Sequence, residues 1–272
     1  MAEKNLVAHD PAVANSWQKL KEFTDARIGL GRAGSAIPTK RLLEFQMDHA
    51  NARDAVHIPL DMDKLLDGLP SKYGHLILES RAVDRATYLQ RPDYGRSLSD
   101  SSVNSLNNYR ASQAEKFKAA IVIVDGLSST AVQAHAGAMT EILCNLMEEK
   151  GYSLAPICIV QQGRVAIGDE IGEILEVDLL ILMVGERPGL SSPDSLGIYY
   201  TFKPALGLQD SARNCISNIR PAGLSFQEAA DKLIWLIDES IKINQSGVML
   251  KDESEPIDAI TGEEQSVFLL SS

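Results

Sequence analysis

The sequence has few of the residues that build disulfide frameworks and protein-held metal sites. Three of its 272 residues are cysteines (Cys144, Cys158 and Cys215), and five are histidines. The cysteines are odd in number and share no short spacing, which argues against a disulfide framework and a CxxC metal site and is typical of a reducing cytosol. The histidines are scattered along the chain, so their spacing predicts no metal ion held by this protein.

Long apolar runs and an excess of positive charge are also missing. The longest apolar runs, AAIVIV and LLILMV, have six residues each, and the polar start MAEKNLVAHD shows no secretory signal. The 37 Asp and Glu residues outnumber the 26 Lys and Arg residues, which gives a net charge of −11. We therefore expect neither a membrane protein nor a nucleic-acid-binding protein, since the latter needs a strongly basic face.

The acidic charge is concentrated near the end of the chain. Residues 252–272 hold six acids and no base, so the rest of the chain has 26 bases against 31 acids. This stretch lacks apolar periodicity until Val267–Leu270, and residues 251–272 are therefore predicted to form an acidic, disordered tail. The apolar content of 44% and the charged content of 23% are those of a folded soluble protein.

The first 118 residues have the pattern of a helical, loop-rich region. Apolar side chains repeat at helical spacing over 17–28, which predicts a short amphipathic helix, and a second helix is predicted to start after Pro38. That second helix would place Leu43, Met47 and Ala50 on one face. Residues 76–109 are polar, and we expect irregular structure and short helices there. Because this region has few apolar anchors of its own, we expect it to face a partner.

Residues 119–250 alternate between short apolar runs and helical patterns. The apolar runs AAIVIV, PICIV and VDLLILMV predict three strands, IYYTF is a candidate for a fourth, and SFQEAADKLIWLIDESIKIN predicts a helix that opens with a capping box. Continuous apolar strands that alternate with helices are typical of a parallel sheet with both faces covered. The sequence therefore predicts an α/β fold, with a Rossmann-like parallel sheet domain at 119–250 preceded by the N-terminal helical region.

Ligands in such sheets bind outside the carboxyl ends of the strands. The residues that directly follow those ends, here called strand exits, are 125–129, 162–165 and 185–189. Glu186 directly follows LLILMVG and opens the loop ERPGLSSPDSLG, whose two prolines are typical of a shaped binding loop; a surface pair with Arg187 is the alternative.

The segment SARNCISNIRPAGLS is dense in amide, hydroxyl and guanidinium groups and suits a polar ligand. Cys215, within it, has no partner for a disulfide or a metal. Considered by itself, this cysteine is predicted to be a small, buried apolar residue.

Asp125, Ser128 and His135 suggest a hydrolase or a nucleotide-binding protein. GLSST lacks the second glycine of the G-x-S-x-G nucleophile turn, and His135 falls on an apolar helix stripe, which favours a core histidine. The same loop could hold a phosphate on its backbone amides, or be an ordinary strand-to-helix turn with a serine cap. A stand-alone α/β hydrolase or nucleotide-binding protein that uses Asp125 and Ser128 is the alternative hypothesis.

Several long strings together resemble one known family. They are RIGLGRAGSAIPTKRLLEFQMDHANARDAVHIPLD, DRATYLQRPDYGRSL, VDGLSSTAVQAH, GRVAIGDEIG, GERPGLSSPDSLGIYYT and RNCISNIRPAGLS. Through them the chain resembles the small subunit of ethanolamine ammonia-lyase over roughly residues 24–252. The stretch after Lys251 lies outside that pattern, and the first 20 residues match it weakly.

The resemblance implies an enzyme that uses adenosylcobalamin to convert ethanolamine to acetaldehyde and ammonia. A large TIM-barrel subunit would carry the substrate pocket, and this chain would complete the cobalamin site within a hetero-oligomer, without activity alone. The family's cobalamin contacts correspond here to Val165 of GRVA, Glu186 of GERPG and Cys215 of RNCISN. The resemblance implies no catalytic residue and no metal ligand in this chain, and a place in the cytoplasm and the bacterial microcompartment for ethanolamine breakdown.

Overall fold

The computed structural model describes residues 16–24 and 26–251. The predicted tail lies outside the described residues, apart from Lys251. The prediction of one helix over 17–28 is wrong in extent, because a 3-10 helix at Ser16–Glu22 is followed by irregular chain. The glycines of GLGRAG begin at residue 29, and glycine destabilises a regular helix because it loses more conformational freedom on folding than other residues.

Seven α-helices and six strands follow. The helices are α1 (Thr39–His57), α2 (Met62–Asp67), α3 (Arg85–Gln90), α4 (Asp100–Ser112), α5 (Ser129–Glu149), α6 (Ile167–Ile174) and α7 (Phe226–Ile243). The strands are β1 (His75–Glu79), β2 (Ala119–Val124), β3 (Ile157–Gln161), β4 (Leu179–Gly185), β5 (Leu196–Phe202) and β6 (Arg213–Ile219).

The six strands form one sheet in the order β1-β3-β2-β4-β5-β6. The first four are parallel to one another, whereas β5 runs antiparallel to β4 and β6 antiparallel to β5. Every residue of β2 and β4 is buried, as expected for apolar runs covered on both faces. The predicted α/β fold is thus confirmed, and its parallel part carries a two-strand antiparallel extension.

Two strands lie where the sequence suggested none. β1 falls at the start of the stretch expected to be irregular, and it pairs with β3, so the sheet begins before residue 118. β6 occupies part of the polar segment 211–225. Both are edge strands, and an edge strand with a solvent-exposed face needs no continuous apolar run. Their patterns were therefore weaker than those of the central strands.

The sheet separates two apolar layers. One face packs against α5 and α7, the helix for which the capping box at Ser225 and Glu228 is confirmed. The opposite face packs against α4 and α6, but this second layer ends at Tyr199 on β5. Beyond Tyr199, Cys215 and Ser217 on β6 are exposed. The antiparallel extension therefore has one open face, here called the open face of β5 and β6.

The second predicted helix is confirmed as α1. Its predicted apolar face does not enter the core, since Leu43 and Met47 are 58% and 62% exposed and Ala50 is also exposed. An exposed apolar helix face is typical of an interaction site when its side chains form a contiguous patch.

Candidate functional site

The three strand exits meet at one edge of the sheet, as the parallel arrangement predicts. The Asp125 carboxylate, after β2, accepts hydrogen bonds from the backbone amides of Gln162 (3.0 Å) and Gly163 (3.2 Å), which follow β3. The Leu127 amide donates to the carbonyl of Gly185, the last residue of β4, at 2.9 Å. Asp125 thus joins two of the exits, and the backbone joins the third.

Asp125 is a buried structural group. It is 3% exposed, and the Arg85 guanidinium lies 3.6 Å from its carboxylate. Burial raises the pKa of Asp125, while the two amide bonds and Arg85 oppose that rise. With its oxygens turned toward the protein's own amides, this carboxylate is not available to a ligand.

The structure does not assemble a catalytic triad from Asp125, Ser128 and His135. The Ser128 hydroxyl donates to the Pro193 carbonyl at 2.7 Å and accepts from the Ala131 amide at 3.2 Å, which caps α5. His135 is buried and faces Asp194 at 3.3 Å. The Ser128 hydroxyl therefore has no histidine beside it to act as a base. The alternative predictions, a serine that caps a helix and a histidine in the core, are confirmed.

The loop after β2 also leaves no space for a phosphate. A Cβ atom at Gly126 would collide with the Gly185 carbonyl, and Ser128 and Ser129 are buried. Since the Leu127 amide is already bonded to Gly185, the loop is closed by its own neighbours. The hydrolase and nucleotide-binding alternative is therefore not supported.

The Glu186 carboxylate, at the exit of β4, has a different setting. Oε2 accepts from the Ser195 hydroxyl and from the Asn218 amide at 3.1 Å, and Oε1 accepts from the Ser217 hydroxyl at 2.7 Å. The side chain is half-buried and turns toward β5 and β6 rather than toward Arg187. Glu186 therefore belongs to the open face and not to a surface ion pair.

Local sequence explains this placement. A Cβ atom at Gly197 on β5 would lie 2.9 Å from Oε1 of Glu186, so a glycine there lets the carboxylate approach the strand. The register of β5 and β6 shifts beside it, and Asn218 adopts a positive φ of 60°. Such bulges re-aim groups near binding sites, and asparagine tolerates this backbone conformation better than most residues.

Cys215 lies on the open face, directly opposite Tyr199 in the β5–β6 pairing. Burial on its packed side raises the pKa of the Cys215 thiol; the interaction with the Tyr199 hydroxyl opposes that rise, and the Glu186 charge adds to it. Burial likewise raises the pKa of Tyr199, with Cys215 and Glu186 contributing. These mutual effects place Glu186, Tyr199 and Cys215 close together.

Val165 reaches the same region from the exit of β3. It is half-buried and lines a cleft of about 360 Å³ together with Tyr199. The structure thus brings Val165, Glu186 and Cys215 to one face, with Tyr199 between them. The strand pattern of IYYTF indicates that the two consecutive tyrosines point to opposite faces of the sheet. It does not indicate that Tyr199, rather than Tyr200, lies at the site.

Within residues 16–24 and 26–251, no group of three or more His, Cys, Asp or Glu side chains is placed to hold a metal ion. Among the same residues, no helix has the length and apolarity needed to cross a membrane.

Known proteins match this chain along almost its whole length. The family model of the ethanolamine ammonia-lyase light chain (EutC) matches residues 14–251. The ethanolamine ammonia-lyase small subunit of Azotobacter vinelandii is 52% identical over 246 residues, which cover 90% of this chain and 91% of that protein. The small subunit of Pseudomonas aeruginosa is 48% identical over 255 residues, 93% of each chain, and that of Xanthomonas campestris pv. campestris 50% over 242 residues, 89% of each. The chain therefore belongs to the ethanolamine ammonia-lyase light-chain family, and is a subunit of a carbon–nitrogen lyase.

Proposed function

We propose that this chain is the small subunit of an adenosylcobalamin-dependent ethanolamine ammonia-lyase, and that Val165, Glu186 and Cys215 contact the corrin at the open face of β5 and β6. The observation that carries the proposal is their convergence. They come from three separate segments, yet Val165 shares a cleft with Tyr199, and Tyr199 lies opposite Cys215 and close to Glu186. No helix among the described residues covers Cys215 and Ser217, so a large flat ligand has access to this face.

The hydrogen-bonding capacity of Glu186 fits a corrin edge. An ionised carboxylate has about four acceptor positions, and corrin side-chain amides donate N–H groups. Three positions of Glu186 are used by Ser195, Ser217 and Asn218, two of them on Oε2. The position that remains is on Oε1 and can accept one N–H from the cofactor.

Val165 and Cys215 suit the apolar part of the same ligand. Both are small side chains on half-buried or exposed positions, so they offer contact surface without a charge. The Val165 carbonyl accepts a hydrogen bond from the Gly168 amide in the first turn of α6, at 3.1 Å. These two residues would pack against the corrin while Glu186 orients it.

When bound, adenosylcobalamin supplies radical chemistry, by homolysis of its cobalt–carbon bond and hydrogen abstraction by the deoxyadenosyl radical. This chain's residues contribute binding, orientation and the exclusion of water on one side of the cofactor. The substrate pocket belongs to the large subunit in this proposal, and this chain alone has no activity.

The exposed apolar surface of the N-terminal region supports a large partner subunit. Trp17, Phe23, Ile37, Leu43 and Met47 are all more than half exposed. A set of exposed large apolar side chains on one segment is typical of a protein interface. We assign this surface to the contact with the large subunit, in a hetero-oligomer that works in the cytoplasm within a bacterial microcompartment.

The test uses the complex of this chain with its large subunit. Cobalamin is titrated into wild-type complex and into Cys215→Phe, which places a bulky ring on the open face at an exposed strand position. We expect the variant's dissociation constant to rise more than tenfold, because the ring occupies the space of the corrin. Ile77→Phe is the matched control, since Ile77 is also an exposed strand residue (55%) but lies on β1 at the opposite edge. Failure of the wild-type complex to bind cobalamin, or equal affinities for all three proteins, would contradict the proposal.

A further inference from the structure

The cleft beside Val165 has a strongly basic lining. It is formed by Pro92, Arg96, Arg164, Val165, Ala166, Tyr199, Asp210 and Arg213. Three of these eight residues are arginines and one is an acid. Arginine is the side chain best suited to phosphate, because its planar guanidinium presents several donors at once.

Arg213 is a buried arginine that keeps a free donor. Its side chain is 2% exposed, and it pairs with Asp169 and, at 2.8 Å, with Asp210. Its Nε is buried and has no hydrogen-bond partner among the described residues. A buried donor of a charged group without a partner is costly, so an acceptor in the cleft would stabilise it.

Arg164 and Arg96 have further unused donors. The Arg164 guanidinium lies 4.3 Å from the centre of the Tyr88 ring, which fixes its position, and its Nε is buried without a partner among the described residues. The exposed side chain of Arg96 makes no hydrogen bond or ion pair with the part of the chain that the structure describes. Among the described residues, Arg164 and Arg96 therefore form no ion pair of their own, although the Arg96 charge opposes the rise that burial causes in the pKa of nearby Asp169.

The charge balance selects the type of anion. Asp169 and Asp210 both pair with Arg213, so the three arginines and two acids leave a net charge of about +1 at the cleft. The N-terminus of α6, whose Ala166 cap makes no side-chain hydrogen bond, lies in the same wall and adds a partial positive charge. A singly charged phosphodiester matches this balance better than a doubly charged phosphate monoester.

We infer that this cleft binds the phosphodiester of the cofactor's nucleotide arm. The inference rests on the proposed function, which places a corrin on the open face next to the cleft. Val165 belongs to both surfaces, since it lines the cleft and is assigned a corrin contact. An arm that leaves the corrin edge at Val165 therefore enters a cleft whose arginines can bind its one negative charge.

The test compares two ligands in the complex with the large subunit: cobalamin, and cobinamide, which has the corrin but no nucleotide arm or phosphodiester. Arg96→Gln removes the exposed cation without disturbing a buried group. We expect Arg96→Gln to weaken cobalamin binding about tenfold, as for a lost charge-assisted contact, and to leave cobinamide binding unchanged. Arg96→Lys should restore part of the affinity for cobalamin.

Arg91→Gln is the matched control, because Arg91 is a nearby exposed arginine that pairs with Asp93 outside the cleft. Equal weakening of both ligands by Arg96→Gln, or no weakening of either, would overturn the inference while leaving the proposed function intact. A wild-type complex that binds neither ligand would instead refute the proposed function. Inorganic phosphate should compete with cobalamin and not with cobinamide; phosphate that binds without competing would assign the cleft to free phosphate and overturn the inference.

Discussion

The exits of β2 and β4 have similar local sequences, but their carboxylates lie in different surroundings. Each is a carboxylate directly after a buried apolar strand, followed by a loop with glycine and serine. Asp125, after β2, is 3% exposed and gives its oxygens to the amides of Gln162 and Gly163. Glu186, after β4, is half-buried, and its partners are two hydroxyls and one amide of the antiparallel extension.

The neighbouring strand accounts for the difference. β2 lies between two parallel strands, so its exit is surrounded by other exits and its carboxylate completes their hydrogen bonds. On its other side β4 is paired with β5, which runs in the opposite direction, and β5 and β6 together have one uncovered face. The same local pattern thus produces a structural brace in the middle of the sheet and a ligand-facing acceptor near its edge.

The largest expected effect is on stability, and it comes from removing the Asp125 carboxylate. Asp125→Ala leaves the buried Gly163 amide and the half-buried Gln162 amide without an acceptor. It also leaves the Arg85 guanidinium, 17% exposed, without its neighbouring charge. We expect a loss of about 3 kcal/mol in the free energy of unfolding, measured by urea denaturation. Asp125→Asn keeps the size and one acceptor oxygen, and should lose less. A loss below about 1 kcal/mol for the alanine variant would refute the structural role of Asp125.

Glu186→Ala is the counterpart at the other exit. Because this carboxylate is half-buried, water can replace it as the acceptor for Ser195, Ser217 and Asn218. We expect cobalamin affinity of the complex to fall about tenfold, or about 1.4 kcal/mol, while unfolding changes by less than about 1 kcal/mol. Arg187→Ala, the next residue in the same loop, serves as the control. An unchanged cobalamin titration for Glu186→Ala would remove the contrast between the two exits.

Ser128→Ala tests the loop that the hydrolase hypothesis used. It removes the cap of α5 and the hydrogen bond to Pro193, so we expect a loss of about 1 kcal/mol in the free energy of unfolding. Cobalamin affinity of the complex should not change, since the loop is closed and faces no ligand. A loss of cobalamin binding without a loss of stability would show that this exit also reaches the cofactor.

The smallest effect concerns the thiols. Cys215 is the exposed cysteine, whereas burial raises the pKa of Cys144 and Cys158 to about 12. We expect iodoacetamide to label Cys215 first, detected by peptide mass spectrometry. Because the pKa of Cys215 is also raised, its thiolate fraction and labelling rate should keep rising as the pH passes 9. In the complex, bound cobalamin should slow the labelling several-fold; an unaffected rate would place the corrin elsewhere.

The central strands could be predicted from the sequence, and the edges could not. β2, β3 and β4 are runs of apolar residues because both faces of the sheet are covered there. HLILE and RNCISNI are edge strands with exposed positions, so neither run is continuous. The alternation in RNCISNI is nonetheless present, since Ile216 and Ile219 are buried while Cys215 and Ser217 are exposed. A shift of register at the bulge interrupts it.

By itself, the sequence determined the α/β class, the location of the three strand exits and the family. Apolar runs, helical periodicity and long matching strings are local properties, and each remains visible without coordinates. Only the tertiary structure decided which exit is closed and which is open, because that depends on the direction of the next strand and on which helix covers it. The meeting of Val165, Glu186 and Cys215 around Tyr199, and the gathering of three arginines in one cleft, depend on contacts between distant segments.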